Sequence, residues 1–222
     1  MYDFTMPAWE KRSALPALKE DEIQVWRISL SDSPCRIDWL SQAELQRFES
    51  FVDQSIAHRY CASRSMLRDL LSTFSGTAPA KVCLQISATG KPFLDQYAGV
   101  LNFNLSHSRD RALVAVTALG EVGVDLEFEC DLPNRAKIAQ RVMSPGDLKL
   151  LSEHGYEPAL FTRLWTRFEA RQKCFGQGVF GQRIEDKEVG MLSFSAGEQW
   201  TGALAWSRPD ITPPIRFFTL AS

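Results

Sequence analysis

The stretch that most constrains the fold is residues 101–127, which reads LNFNLSHSRDRALVAVTALGEVGVDLE. At 101–105 apolar and polar residues alternate, a pattern typical of a β-strand with one buried face. Two further apolar runs of strand length follow at 111–119 and 122–128. The sequence therefore predicts three successive strands in the middle of the chain.

The third run carries two carboxylates two positions apart, Asp125 and Glu127. Side chains at i and i+2 of a strand leave the same face, so these two groups point together. Adjacent carboxylates repel unless a cation or a shared proton lies between them. Mg2+ is suited to such a pair because it is commonly held by one or two carboxylates together with substrate phosphates. The alternative is a solvated sheet face that binds nothing.

The segment upstream, residues 104–109, is predicted to end a strand and enter a loop. Ser106 and His107 are neighbours, so on an extended chain they face opposite ways and cannot act as a nucleophile and its base. As hydrogen-bond donors to a phosphate they are better suited. A purely structural histidine in a turn is the alternative for His107.

Four segments together resemble a known family. They are GKP at 90–92, FNLSHS at 103–108, VGVDLE at 122–127 and WTRFEARQK at 165–173. In this order they are similar to the motifs of the 4'-phosphopantetheinyl transferases of the Sfp type, which activate fatty acid, polyketide and nonribosomal peptide synthases. The resemblance thins toward both termini.

The resemblance implies an α+β fold of two pseudo-twofold-related halves with the active site in the cleft between them. It implies Mg2+-dependent transfer of the 4'-phosphopantetheine arm of coenzyme A to a serine of an acyl or peptidyl carrier protein, with release of 3',5'-ADP. Asp125, Glu127 and Glu169 would hold the metal ion. Glu169 would also take the proton of the serine, and Lys173 would contact the diphosphate.

The same resemblance assigns coenzyme A contacts in the first half of the chain. His107 and Arg59 would bind the 3'-phosphate, and Ser106 would assist as a phosphate donor. The resemblance also implies that Lys91, with Pro92 beside it, lies near the nucleotide end. A turn alone would explain the glycine and the proline here but not the lysine.

One position departs from the family pattern. Phe168 stands where the family usually has lysine before the glutamate, and an apolar side chain there continues the buried stripe of a helix. Arg167 or Arg171 could replace the missing charge. Without the resemblance, Glu169 and Lys173 would be interpreted as a surface i,i+4 ion pair worth about 0.2–0.5 kcal/mol.

The element order supports two similar halves, residues 1–119 and 120–222. In the first half we predict a strand at 22–30, a capping box at Ser41 and Glu44, and a long helix at 55–74. In the second half the longest predicted helix is 158–175. The remaining basic residues of the long first-half helix, which include Arg64 and Arg68, are predicted to form a solvated face.

Composition sets the remaining limits. The 222 residues carry a net charge of −2, which argues against nucleic acid as a partner. Five cysteines without C-x-x-C spacing indicate neither a disulfide framework nor a zinc site, and fit a reducing cytoplasm. No apolar run is long enough to span a membrane. We expect a monomeric cytoplasmic protein.

Two other functions fit the sequence. One is a different Mg2+-dependent diphosphate enzyme, such as a hydrolase, because the same carboxylates would serve it. The other is a non-catalytic module that binds coenzyme A or a carrier protein, for which Phe168 is the sequence hint.

Overall fold

The computed structural model describes residues 3–179 and 181–220. The outermost residues of the two predicted halves therefore lie outside the described ranges. The strands are β1 (Phe4–Thr5), β2 (Glu10–Arg12), β3 (Ile23–Ser29), β4 (Leu84–Ile86), β5 (Pro92–Leu94), β6 (Asn102–Ser108), β7 (Arg111–Thr117), β8 (Val122–Phe128), β9 (Gly190–Gly197), β10 (Trp200–Trp206) and β11 (Ile215–Leu220). The helices are α1 (Gln42–Glu49), α2 (Gln54–Ser75), α3 (Arg135–Val142), α4 (Pro145–Glu153) and α5 (Pro158–Cys174). The predicted α+β class is confirmed.

Two sheets form the centre of the molecule. One has the strand order β1-β9-β10-β8 and the other β2-β11-β3-β7-β6, while β4 and β5 pair separately. Their facing sides share one core, in which Val25 and Leu113 of the five-stranded sheet meet Val124 and Leu204 of the four-stranded sheet. Burial of these alternating apolar side chains fixes the register of both sheets.

Each sheet carries a helix on its outer face. On the five-stranded sheet, α2 packs through a stripe that includes Leu67, Leu70 and Leu71. On the four-stranded sheet, α5 lies against β8 and β10. A Cβ at Gly123 of β8 would collide with the backbone of α5 at Ala170, so glycine there permits the close approach of helix and strand.

Strands near both ends of the chain pair with strands of the other half. Strand β11, from the second half, lies between β2 and β3 and runs parallel to both. Strand β1 pairs in parallel with β9 of the second half. Both sheets therefore depend on residues from both ends of the chain.

Local signals predicted several boundaries well. The capping box of Ser41 and Glu44 opens α1 as predicted, and Gly76 ends α2 with a left-handed φ of 64°. The segment 104–109 ends a strand, as predicted, but its connection is short. Strand β6 continues to Ser108 and pairs with β7 along its whole length, and only residues 109–110 form the turn.

Two predictions about single side chains are wrong. Arg68 is buried rather than solvated, and it donates to Glu44 at 2.6 Å and to the carbonyl oxygen of Val82. Cys35 and Cys61 form a disulfide, although their spacing of 26 residues gave no signal of pairing. Since disulfides are typical of oxidising compartments, the cysteine content no longer supports a cytoplasmic location. Within the described ranges no helix is long and apolar enough to cross a membrane.

Candidate functional site

Strands β6 and β8 bring the two halves together side by side. The hydroxyl of Ser106 donates to Oδ1 of Asp125 at 2.9 Å. Two positions further along the same strand, the hydroxyl of Ser108 donates to Oε2 of Glu127, also at 2.9 Å. Asp125 and Glu127, two of the three predicted metal carboxylates, therefore each meet a serine from the other half. Ser106 contacts a carboxylate here, which the sequence did not predict.

Helix α5 supplies the third wall of the cleft. Nζ of Lys173 lies 2.5 Å from Oδ1 of Asp125 and 3.1 Å from Oε2 of Glu169. It also donates to the Ser106 hydroxyl at 3.1 Å. The pair Glu169 and Lys173 is thus part of a network with the strand carboxylates, which an isolated surface ion pair would not be.

The carboxylates of this cleft outnumber the ammonium group that contacts them. Asp125 is 1% exposed, and its Oδ2 atom is buried with no hydrogen-bond partner. Burial and the charge of Asp125 raise the pKa of Glu127 to about 7. Burial and Asp125 also raise the pKa of Glu169. Burial opposes the charged form of Lys173, but Asp125 and Glu169 still raise its pKa. One ammonium group does not balance three carboxylates.

These properties fit a divalent cation. A buried carboxylate oxygen without a donor and two carboxyl groups with raised pKa values are what a hard cation would stabilise. Within the described residues no group of three or more His, Cys, Asp or Glu side chains is already assembled as a metal site. Lys173 lies between Asp125 and Glu169 instead.

His107 faces away from the carboxylates, toward α2. Desolvation lowers the pKa of His107, and the positive charges of Arg64, Lys173 and Arg59 lower it further. The guanidinium group of Arg59 donates to the hydroxyl of Ser55 at 3.4 Å. The predicted residues His107 and Arg59 thus belong to one cationic region. Arg64, predicted to be part of a solvated face, belongs there too.

Lys91 lies at the joint of the two halves. Its ammonium group donates to Oε2 of Glu121 at 2.6 Å and to the carbonyl oxygens of Val122 at 2.9 Å and Cys174 at 2.7 Å. With Pro92, the residue also lines a cavity of about 370 Å3. Its charged end is therefore engaged within the protein, while the rest of the residue borders the cavity.

Comparison with known proteins identifies the family. The model of the 4'-phosphopantetheinyl transferase N-terminal region matches residues 24–119, and that of the 4'-phosphopantetheinyl transferase superfamily matches residues 121–209. The chain belongs to the 4'-phosphopantetheinyl transferases. The transferase HetI of Nostoc sp. is 32% identical over 214 residues, which cover 92% of this chain and 89% of HetI.

Two less similar relatives of the transferase come from animals. The L-aminoadipate-semialdehyde dehydrogenase-phosphopantetheinyl transferase of Xenopus laevis is 28% identical over 74% of this chain and 61% of its own length. That of Homo sapiens is 26% identical over 66% of this chain and 53% of its own length. Membership of the Sfp type remains a prediction.

Phe168 of the transferase is 2% exposed and packs in the apolar cluster under α5. Neither of the two arginines that could replace the missing lysine, Arg167 and Arg171, points into the cleft. Arg167 is buried and donates to Ser193 at 3.2 Å, and buried Arg171 pairs with Asp186. The transferase therefore arranges its cleft without a cation from this turn of α5.

Proposed function

We propose that the transferase moves the 4'-phosphopantetheine arm of coenzyme A to a serine hydroxyl of an acyl or peptidyl carrier protein, with release of 3',5'-ADP. The observation that supports this most directly is the cleft network of Asp125, Glu127, Glu169 and Lys173 between the two halves. The acceptor and the donor would meet there, because both halves contribute to that cleft.

Asp125, Glu127 and Glu169 are the residues that would hold Mg2+, which supplies charge neutralisation at the diphosphate oxygens. The partnerless Oδ2 atom of Asp125 supports this assignment. Lys173 would add a positive charge at the diphosphate, since its ammonium already lies among these carboxylates. Phosphoryl chemistry depends chiefly on such electrostatic positioning.

Glu169 would accept the proton of the incoming serine. A serine hydroxyl is a weak nucleophile until a base takes its proton. Burial and Asp125 raise the pKa of Glu169, and a raised carboxyl pKa brings its basicity closer to the working pH of a general base. Because Glu169 is only 17% exposed in its side chain, bulk water competes little for the proton.

Coenzyme A would lie across both halves. His107 and Arg59 would contact the 3'-phosphate, and Ser106 would lie at the phosphate side of the cleft. The nucleotide end would occupy the cavity beside Lys91 and Pro92, which has an apolar wall and a volume of about 370 Å3. A monomeric state and the absence of a nucleic acid partner complete the proposal, and the second of these rests on the net charge of −2.

Mass spectrometry of an apo carrier protein incubated with the transferase, coenzyme A and Mg2+ tests the proposal. The expected product is the carrier protein with one added phosphopantetheine, and EDTA should suppress it. A hydrolase would instead consume coenzyme A without modifying the carrier protein. A binding module would retain coenzyme A unchanged.

Asp125→Asn is the matched variant for this assay. It keeps the size of the side chain but removes the charge, so transfer should fall at least about a hundredfold. Near-normal turnover by the folded variant would refute the metal assignment.

A further inference from the structure

Three arginines lie in a row beside the cleft, each on an aromatic ring. The Cζ atom of Arg109 is 3.4 Å from the ring centre of Phe128, that of Arg111 is 4.8 Å from Trp200, and that of Arg27 is 4.4 Å from the ring of Trp9. We call Arg27, Arg109 and Arg111 the arginine row. Stacking on aromatic faces fixes the guanidinium groups and lowers the entropy that a partner must remove.

The arginine row has no carboxylate partner in the part of the chain that the structure describes. Among the described residues, none of the three guanidinium groups has a carboxylate within ion-pair distance. Arg27 and Arg111 even converge, because the Nη1 atoms of both donate to the carbonyl oxygen of Ala196, at 2.8 and 3.2 Å. Burial and the charge of Arg111 lower the pKa of Arg27. An anionic partner would relieve this repulsion.

The backbone supports the same arrangement at two points. Gly197 adopts φ of 134°, and a Cβ there would collide with Nη1 of Arg111. Arg109 itself has φ of 49° at the tip of the β6–β7 hairpin, a left-handed conformation that costs a non-glycine residue about 1–2 kcal/mol. A two-residue hairpin turn between Ser108 and Arg111 requires a positive φ at its first position, so the turn explains this conformation and holds the exposed Arg109 side chain at the hairpin tip.

The row begins at the proposed catalytic cleft. Arg109 follows Ser108, whose hydroxyl donates to Glu127. The cavity beside Lys91 lies at the opposite end of β6, where it is lined by Asn102 and Phe103. Ser106 and Ser108 face the carboxylates, whereas His107, the proposed contact of the 3'-phosphate, faces the other way, toward the arginines of α2. A donor that occupies the cavity and the α2 side of β6 leaves the Arg109 end free on the carboxylate side for the acceptor.

We propose that the arginine row is the docking edge for the acceptor carrier protein, which it recognises through acidic side chains near the acceptor serine. This rests on the proposed function. Charge complementarity favours an acidic protein surface, because the three guanidinium groups are presented on three different aromatic rings. Next to them, Trp9 and Trp200 line an open groove of about 540 Å3, which adds apolar contact area for such a partner. Glu129 and Glu198 also line this groove, so we assign the acidic contacts to the arginine row and only apolar contacts to the groove.

Two measurements test the docking edge. One is the Kd for an apo acyl carrier protein whose acceptor serine is replaced by alanine, and the other is steady-state transfer to the intact carrier protein, both at several salt concentrations. Arg109→Asn is the main variant, since asparagine tolerates the left-handed backbone but has no charge. We expect Kd and KM for the carrier protein to rise about five- to tenfold, with a weaker salt dependence. The kcat value and the affinity for coenzyme A should not change.

Arg111→Gln should act in the same direction, and thermal melts show whether it still folds. Arg208→Gln is the matched control, because Arg208 is an exposed arginine that already pairs with Asp210 at 3.1 Å. It should leave the Kd for the carrier protein unchanged.

Several results would overturn the docking edge. If the wild type transfers the arm and both variants keep its Kd for the carrier protein, the row does not bind the acceptor. If the variants lose coenzyme A affinity in parallel, the row belongs to the donor site. Saturable binding of inorganic phosphate that Arg111→Gln abolishes, with carrier affinity unchanged, would make it a small-anion site. Absence of transfer by the wild type would refute the proposed function first, and the docking edge with it.

Discussion

The ion pair of Lys173 with Glu169 can be tested against an ordinary surface pair in the same protein. Glu169→Gln keeps the size of the side chain but loses its basicity, so kcat should fall about a hundredfold or more, as is typical of losing a general base. Lys173→Ala should raise KM for coenzyme A and lower kcat, because the diphosphate is present in both ground and transition states.

The matched control is Lys149→Ala. Lys149 and Glu153 also form an i,i+4 pair, at 3.8 Å, but both are largely exposed. Steady-state kinetics with an apo carrier protein and thermal melts on all three variants separate the two roles. If the Glu169 and Lys173 variants behave like the control, with mild stability changes and unaltered rates, the proposed mechanism fails.

Glu127 should make the stability of the metal-free protein depend on pH. Burial and Asp125 raise its pKa from the ordinary value of 4.5 to about 7. The folded state therefore holds the proton more tightly than the unfolded state, and the resulting stabilisation is complete below about pH 4.5 and lost as pH rises through 7. In EDTA, Tm should fall between pH 5 and pH 8.

Glu127→Gln is the variant that checks this assignment. It removes the titrating group and keeps an acceptor for the hydroxyl of Ser108, so the fall in Tm over that range should be smaller than in the wild type. Calorimetry at matched buffer and ionic strength provides the comparison. An unchanged slope would place the titration elsewhere, for example on Glu169, whose pKa is also raised.

At the scale of elements, α5 shows how a departure from the family pattern was accommodated. Phe168 packs in the core under the helix, so Phe168→Lys would force a charge into an apolar site. This substitution should lower the free energy of unfolding by at least about 3–5 kcal/mol, which is the cost typical of Phe→Ala. Phe168→Leu, which keeps the apolar character, should cost less than about 1.5 kcal/mol. Urea denaturation measures both.

The coenzyme A affinity of any folded Phe168→Lys protein completes the test. Since the side chain points into the core, the added lysine should not improve binding. A lysine variant as stable as the wild type, with tighter coenzyme A binding, would show that this turn of α5 faces the cleft after all.

Elements with strong local signals were predictable from the sequence, and side chains with distant partners were not. The i and i+2 spacing of Asp125 and Glu127 placed them on one face, as the contacts of both with β6 confirm. The helical stripe likewise predicted α2. The same stripe could not show that Arg68 is buried, because its partners Glu44 and Val82 lie outside the helix.

The site was predictable in its acidic part and less so in its surroundings. The sequence indicated which carboxylates belong together, but their serine partners depend on the register between β6 and β8, which come from different halves. The sequence did not predict the arginine row, because its members come from β3, β7 and the hairpin tip. Arg27 and Arg109 are 82 positions apart in the sequence. Long-range pairing of strands leaves no local periodicity.

At the scale of the whole molecule, the division into residues 1–119 and 120–222 remains a prediction that the strand order makes testable. In the five-stranded sheet, β11 lies between β2 and β3, and Phe218 of β11 stacks on Trp26 of β3 at 4.5 Å. A fragment of residues 1–119 would lack this strand, expose the edges of β2 and β3, and leave Trp26 without its aromatic partner.

We therefore expect the fragment 1–119 not to fold alone, although a family model matches most of it. Circular dichroism and urea denaturation of the isolated fragment should show no cooperative transition, because an open sheet edge and an unfilled core cannot offset the conformational entropy of the chain. Mixing with residues 120–222 should restore a transition by supplying β11 and covering β6 with β8. A cooperative transition of the fragment alone would show that the two halves are independent folding units. In that case the cleft would form when two already folded domains dock, and not when shared sheets are completed.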